Sequence, residues 1–586
     1  VATDQMIDTP TNNFPTWNPL SKRTDGSQIV TLLEGNLKCT TVSVGGAGAN
    51  EAANTIGMGS GKWYAEMEVI SMGSGSLWLG ISNSKFPQNE YIETGSWIGV
   101  YYRTDSGQKS VNGTTTSYGA ATVAGDVVGI AYNGDDNEVT FYKNNVSQGV
   151  ISITADEYVF ACGKSSGNPS WVANFGQDSS FAGEKTAQGN QDGNGKGDFY
   201  YAPPSGFLAL CTDNLSAPEI ALPGENFNPV AYAGTGAASQ AQTVGFQPDF
   251  VWIKNRTDAG QNHILVDSVR GLYTLASDTT SPQSAAGATT FKSFDSNGFT
   301  VGSDGGCGEN LKNYASWNWK AGGAPTADNS AGAGATPTAG SVKIDGSNLG
   351  SALAGSIAAT RLSANTTSGF SIVTYEGTEA VATVAHGLSQ APELILFKNT
   401  DSALFWPVYS KPTDATDYLI LNTAAAVADS DGYFNDTEPT STVFSLGDKT
   451  NLNRDTCIAY CFHSIEGYSK VGSYIGNGNA DGPFIYTGFR PAYIMIRVAP
   501  AWSGGHWHLF DTKRYTYNET TNTTTTGLVA DSSGIDGGGG GEGAGPIDIL
   551  SNGFKIRNSN GNDNANTDKI IFLAFAESPF KYSNAR

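Results

Sequence analysis

The sequence predicts an all-β protein, a multi-domain chain of antiparallel β-sandwiches, and three observations carry that expectation. Short runs rich in Val, Ile, Tyr, Phe and Trp alternate with Gly/Asn/Asp/Ser clusters along the 586 residues, as strands alternate with turns. No long stretch carries a 3.6-residue apolar period. Beyond residue 220 the chain repeats itself, with the same landmarks returning three times.

A chain of this length exceeds a single hydrophobic core. Charged residues make up only 15% and aromatics 11%, so several cores can be filled and extensive disorder is not expected. The 33 basic and 55 acidic residues leave a net charge of −22. That balance opposes binding to a nucleic-acid backbone, which needs clustered Lys and Arg, and adhesion to anionic lipid. No apolar run reaches the roughly 20 residues that cross a bilayer, so membrane insertion is not expected. The six cysteines (Cys39, Cys162, Cys211, Cys307, Cys457, Cys461) lack CxxC spacing and read as buried thiols acting as small hydrophobes, suited to assembly in a reducing cytoplasm.

Residues 1–29 read as an N-terminal extension or connector. The start, Val1-Ala2-Thr3-Asp4, has neither Met nor a signal peptide, which suggests a numbering that begins inside a longer or processed polypeptide. Residues 30–185 form the first expected sandwich. In Lys62-Trp63-Tyr64-Ala65-Glu66-Met67-Glu68-Val69, the period of two puts Trp63, Ala65, Met67 and Val69 on one face and Tyr64, Glu66 and Glu68 on the other. Further strands follow at Leu77–Ser82, Trp97–Tyr102, Gly125–Tyr132, Val139–Asn145 and Trp171–Gly176.

Five motifs occur here in order: Gly61-Lys62-Trp63-Tyr64-Ala65-Glu66, Trp78-Leu79-Gly80-Ile81-Ser82, Gly125-Asp126-Val127-Val128-Gly129-Ile130-Ala131-Tyr132-Asn133, Phe141-Tyr142-Lys143-Asn144-Asn145 and Asn174-Phe175-Gly176. This order resembles the SPRY (B30.2-like) family. The resemblance implies a bent, non-catalytic sandwich that binds protein or other ligands through loops at one end. By resemblance those loops are 85–95, 104–118 and 164–170, and the contact residues are Tyr91, Tyr102, Tyr118 and Trp171. The alternative at each is a side chain that merely covers the sandwich edge.

Residues 186–220 read as a linker, and the remainder as one unit used three times. A proline enters an apolar strand at Pro248 (Phe250-Val251-Trp252-Ile253-Lys254-Asn255), Pro392 (Leu394-Ile395-Leu396-Phe397-Lys398-Asn399) and Pro491 (Tyr493-Ile494-Met495-Ile496-Arg497). Proline suits a strand's first position, where no ladder N–H is needed. A tyrosine and a small turn precede each proline by 16, 17 and 17 residues, at Tyr232, Tyr375 and Tyr474. Downstream, Leu265-Val266-Asp267-Ser268-Val269-Arg270 matches Leu509-Phe510-Asp511-Thr512-Lys513-Arg514, whereas the middle copy departs at Trp406-Pro407-Val408-Tyr409. Each copy closes on an aromatic strand. The expected units are 221–323, 368–466 and 467–586, with 324–367 an Ala/Gly/Thr-rich insertion. Each reads as a small sandwich with its own interior, strung into a stiff, elongated rod.

Catalytic and metal chemistry finds little support. Gly163-Lys164-Ser165-Ser166-Gly167 matches a nucleophile-elbow string without the strand-to-helix turn it requires, and Gly59-Ser60-Gly61-Lys62 lacks the spacing and helix of a phosphate loop. Asp192-Gly193-Asn194-Gly195-Lys196 begins like a calcium loop, but Lys196 stands where an oxygen ligand is needed, so a plain turn is expected. His506 and His508 alternate around Trp507 and could share a metal, the alternative being exposed strand residues. No local acidic pair suggests a glycosidase. The expectation is a protein without catalytic residues, cofactor or metal.

Taken together, the SPRY-like domain, Ala202-Pro203-Pro204-Ser205-Gly206-Phe207, and units ending Ser578-Pro579-Phe580-Lys581-Tyr582 resemble tail-fibre or virion-appendage proteins of marine phages. That resemblance implies a virion location and other virion proteins as partners. It also implies contact with a host-surface glycan or protein, and a homo-oligomer, with a trimer favoured. The alternatives are a capsid decoration or head-fibre protein, a bacterial surface or filament adhesin, and a glycan-cleaving tailspike.

Overall fold

A computed structural model describes residues 12–22, 28–43, 49–73, 75–83, 99–164, 167–452, 454–500, 505–514, 527–536 and 545–582. The chain forms two compact units, residues 1–217 with 483–486, and residues 218–482 with 487–586. Both are antiparallel β structure, as the sequence predicts.

In the first unit two sheets face each other. One orders Trp17–Lys22, Ala49–Asn54, Tyr158–Lys164, Leu77–Asn83, Gly99–Arg103, Gln108–Val111 and Thr114–Ser117. The other runs from Val146–Ser152 through Glu138–Lys143, Val127–Asn133, Lys62–Ser71, Ser170–Asn174 and Lys38–Ser43 to Gln28–Leu33. In Lys62–Ser71 the Trp63/Ala65/Met67/Val69 face is buried, but so are Tyr64, Glu66 and Glu68. The cover over that second face is the segment read as a linker. Leu208–Ala209 pairs in parallel with Lys62–Ser71, and Phe199, Ala209 and Cys211 pack with Tyr64 and Ala131. Glu66 anchors it by accepting from the backbone N–H groups of Tyr200 (2.8 Å) and Tyr201 (2.7 Å). Burial pushes the Glu66 carboxyl up to about 7, against the hydrogen bonds that favour its charged form. Residues 186–211 are thus part of the domain, because a sheet face bearing Tyr64 and Glu66 needs both apolar cover and N–H donors.

The second unit holds the three repeats. Each has a large sheet in which the closing aromatic strand lies inside, between the tyrosine strand and the proline strand. Asn313–Trp319 lies between Phe227–Ala233 and Phe250–Asn255; Thr456–Phe462 lies between Phe370–Glu376 and Leu394–Asn399; Lys569–Pro579 lies between Ser469–Ile475 and Phe489–Val498. The proline is at the strand entry in the first two copies. In the third it lies inside the strand, at a bulge around Pro491, the other place a sheet tolerates it. The tyrosine landmark has one role throughout. The hydroxyls of Tyr232, Tyr375 and Tyr474 donate to the carbonyls of Cys307, Thr450 and Asp563, at 2.8, 2.7 and 2.6 Å. Two residues later Gly234, Gly377 and Gly476 each run so close to a neighbouring loop that a Cβ would strike a backbone carbonyl. Only glycine fits there.

The insertion at 324–367 contributes strands Val342–Ile344, Ser347–Asn348 and Ala359–Asn365. They extend the second repeat's large sheet to nine strands.

The closing and proline strands at the heart of each large sheet are buried on both faces. On one side the first and second repeats have their own interiors, around Phe299 and Tyr314 and around Phe434 and Phe444. On the other, all three sheets meet in a single shared core. At its centre are three equivalent residues of the closing strands. The rings of Trp319, Phe462 and Phe575 have centroids 6.3, 5.8 and 6.1 Å apart, a near-equilateral triangle that marks a pseudo-threefold axis within one polypeptide. Phe250 of the first repeat stacks on Tyr460 of the second (4.4 Å), and Phe227 of the first on Phe575 of the third (4.7 Å). The repeats therefore close into a ring, which corrects the expected rod of separately cored sandwiches. A strand such as Phe250–Asn255, buried at every position, needs cover on both faces, and the second cover comes from the neighbouring repeats.

Candidate functional site

The four residues singled out from the SPRY resemblance do not gather into a ligand pocket. Tyr91 and the loop 85–95 lie outside the described residues. Trp171 is fully buried in Ser170–Asn174, between Lys38–Ser43 and Lys62–Ser71, and belongs to the core. Tyr102 is also fully buried, stacked on Phe141 at 5.6 Å with its hydroxyl donating to the Ala120 carbonyl. Their strands are covered on both faces, so both side chains are core residues, which corrects their assignment as contact residues.

Tyr118 is half-buried at the sandwich edge, edge-on to Tyr102 (5.9 Å) and Phe141 (6.1 Å), with the Lys109 ammonium 5.2 Å from its ring centre. Its hydroxyl donates to the Gly149 carbonyl, and the Gln148 side-chain carbonyl accepts from Ala120 N–H (2.9 Å). Burial pushes the hydroxyls of Tyr102 and Tyr118 up to about 12, so both remain donors at any ordinary pH. These bonds join two sheet edges, Thr114–Ser117 and Val146–Ser152. Both edges are largely exposed, and Val146, Val150 and nearby Val123 stand out to solvent. This is the candidate contact face: two open edges that can accept an added strand or loop, an amphipathic tyrosine, a lysine and three valines.

The motifs considered for chemistry are otherwise occupied. The Asp192 carboxylate accepts from the N–H groups of Asn194, Lys196 and Ala209 and from the Asn214 amide, at 2.7–2.9 Å, and so shapes a turn. His506 contacts Asp531 (2.7 Å) and His508 is buried, so the pair is not a set of exposed strand residues. His263 sits between the Trp252 indole N–H (2.8 Å) and the Val529 carbonyl (3.0 Å), and His386 contacts the Thr440 carbonyl (3.1 Å). Burial holds His386 down at about 4 and His263 well below the ordinary imidazole value. Among the described residues no group of three His, Cys, Asp or Glu could hold a metal. All six thiols are buried.

The polar groups that the sequence reading passed over lie between the repeats, at equivalent positions. Lys254, Lys398 and Arg497, next to last in the proline strands, reach the carbonyls of Ser533 (3.2 Å), Thr280 (2.8 Å) and Ala425 in the preceding repeat around the ring. Desolvation lowers Lys254 and Lys398 to about 8 and Arg497 to about 10. Ring nitrogens repeat the pattern: His263 meets the Val529 carbonyl, Trp406 donates to Ala276 (3.0 Å), and Trp507 donates to Ile420 (2.9 Å). A cation next to last in each proline strand was the visible signal.

The fold defines an all-β, multi-domain protein with one sandwich and a ring of three repeats. A family model described as "Domain of unknown function (DUF7483)" matches residues 222–343 and 343–579. The chain belongs to that family. Residues 62–178 match the SPRY domain. Among solved structures, the chain is similar to the SPRY domain of human HERC1 (19% identity, 27% of this chain and 96% of that chain, TM-score 0.22). It is likewise similar to a human SPRY domain (15%, 25% and 96%, 0.20) and to the TRIM65 PSpry domain (17%, 28% and 92%, 0.22). No curated protein matches the chain.

Proposed function

We propose that the chain is a non-catalytic structural and binding protein of a virion, a phage tail-fibre subunit. In this reading the repeat ring is the scaffold, and sandwich edges and loops touch a host-surface glycan or protein. The observation that carries it is the use made of the interior polar groups. Lys254, Lys398, Arg497, His263, Trp406 and Trp507 all bond across the boundaries between repeats, which suits a rigid support. A face of open edges and small apolar side chains gives weak contacts, and multiple copies on a fibre raise the avidity. The chain acts as a homo-oligomer, a trimer, alongside other virion proteins.

Immunogold electron microscopy with antibodies against the chain tests this. Label on tails of intact particles is the expected result, with light scattering giving three times the 61.2 kDa chain mass. Label on capsids assigns a head decoration, and label on bacterial surfaces an adhesin; either overturns the tail-fibre reading. Loss of viscosity when capsular polysaccharide is incubated with the chain overturns its non-catalytic character.

A further inference from the structure

The middle repeat differs from the first at one rung of its closing strand. In the first repeat the rung between Tyr232 and Asn255 is Tyr314, whose ring stacks on Tyr232 at 5.2 Å and whose hydroxyl donates to Gly305 (3.1 Å). In the second, the rung between Tyr375 and Asn399 is Cys457. A thiol in place of a phenol ring leaves space, and the structure has a cavity of about 220 Å³ there, lined by Cys457, Tyr375, Phe397 and Tyr433. A dry apolar cavity of roughly 150 Å³ already accommodates benzene.

The cavity is lined also by Phe405, a large apolar side chain that is 51% exposed. Its loop is fastened on both sides. Leu404 accepts from Lys398 (2.6 Å), and the Trp406 N–H donates to the Asn422 side chain (2.9 Å). The equivalent residue of the first repeat, three before the next strand's Leu265, is Asn262.

The polar lining is nearly all committed. Asn399 donates to Asp455 (2.8 Å) and accepts from Asp401 and Ser402 N–H, Thr450 donates to the Tyr433 carbonyl (2.5 Å), and Lys398 serves Thr280 and Leu404. The exception is Lys449, an exposed cation 4.9 Å over the Tyr433 ring, with one bond to the Ser430 hydroxyl (3.1 Å) and no carboxylate in ion-pair range among the described residues. An apolar interior beside one available ammonium selects an amphipathic anion.

We propose that the Cys457 cavity of the second repeat binds a small anion with an aromatic or short acyl body, the body beside Phe405 and Tyr433 and the anionic group on Lys449. The test titrates the full chain with 4-phenylbutyrate and with its amine counterpart, 4-phenylbutylamine, by ligand-observed NMR. The acid should bind with a dissociation constant of about 1 mM or below, and the amine roughly tenfold more weakly. Lys449→Glu should reverse that order, Phe405→Asn should weaken the acid roughly tenfold, and Cys457→Tyr, which restores the first repeat's ring, should abolish binding. Should Cys457→Tyr fail to fold, the exposed Phe405→Asn variant decides. Equal binding of acid and amine, unchanged affinity in Phe405→Asn, or no binding of the acid at 10-fold that concentration overturns the proposal.

Discussion

Two of the three boundaries in the repeat ring carry a buried ion pair, and the third does not. Between the first and second repeats, Asp267 holds Arg270 (2.6 Å) and accepts from the Tyr460 hydroxyl (2.8 Å). Between the third and first, Asp511 holds Arg514 (2.5 Å) and accepts from the Trp317 indole N–H (3.1 Å). Tyr460 and Trp317 occupy the same rung of their closing strands. In the second repeat the Asp position is Ser410 and the Arg position Thr413, while the matching rung of the third repeat is Leu573. Acid, base and donor are absent together. The difference teaches that the buried Asp belongs to a set: a carboxylate away from water needs its guanidinium and its donor, and without them a neutral, apolar boundary is the better solution.

The largest expected effect comes from breaking one set. Arg514→Ala strands Asp511 beside Trp317 and should cost about 4 kcal/mol, read as a lower urea midpoint. An unchanged midpoint would show that the pair does not hold the ring. The converse change, Ser410→Asp, buries a carboxylate opposite Leu573 and should cost about 3 kcal/mol. Adding Thr413→Arg and Leu573→Tyr should recover most of the loss, since the three residues rebuild the set; three additive losses would refute that coupling.

Acid should expose the same asymmetry. Burial alone would raise the Asp511 carboxyl, but the Arg514 guanidinium outweighs it and holds the group below the ordinary 3.8. With a native value below the unfolded one, its stabilisation is complete above about pH 4 and is lost as pH falls through the native value. The stability gap between the chain and Asp511→Asn should therefore close in strong acid, and a gap constant down to pH 2 would contradict the assignment. The smallest effect belongs to the plain boundary. The Ser410 hydroxyl is buried without a partner, so Ser410→Ala should change stability by no more than about 0.5 kcal/mol, or raise it. A loss beyond about 1 kcal/mol would mean that the hydroxyl has an unrecognised role.

Much of this architecture is legible in the sequence. The strands, the sandwich of the first unit, the tyrosine–glycine turns and the threefold repetition all rest on local rules, the period of two and the steric freedom of glycine. Even the odd boundary left a trace, since the middle copy departs from the pattern at Trp406-Pro407-Val408-Tyr409, just ahead of Ser410. Less legible were the contact residues. Tyr102 and Trp171 look amphipathic in a list of aromatics, but tertiary cover on both faces of their strands buries them, and among the described three only Tyr118 keeps a partly open face.

The sequence by itself determined that Phe250–Asn255, Leu394–Asn399 and Phe489–Val498 are apolar on both faces, because side-chain alternation is a property of the strand alone. Only the tertiary structure decided what covers the second face. Apolar burial is non-directional, so the same strands are compatible with separate sandwiches or with one shared core. Closing the ring sets Phe227 against Phe575, contacts so distant in sequence that no local pattern encodes them.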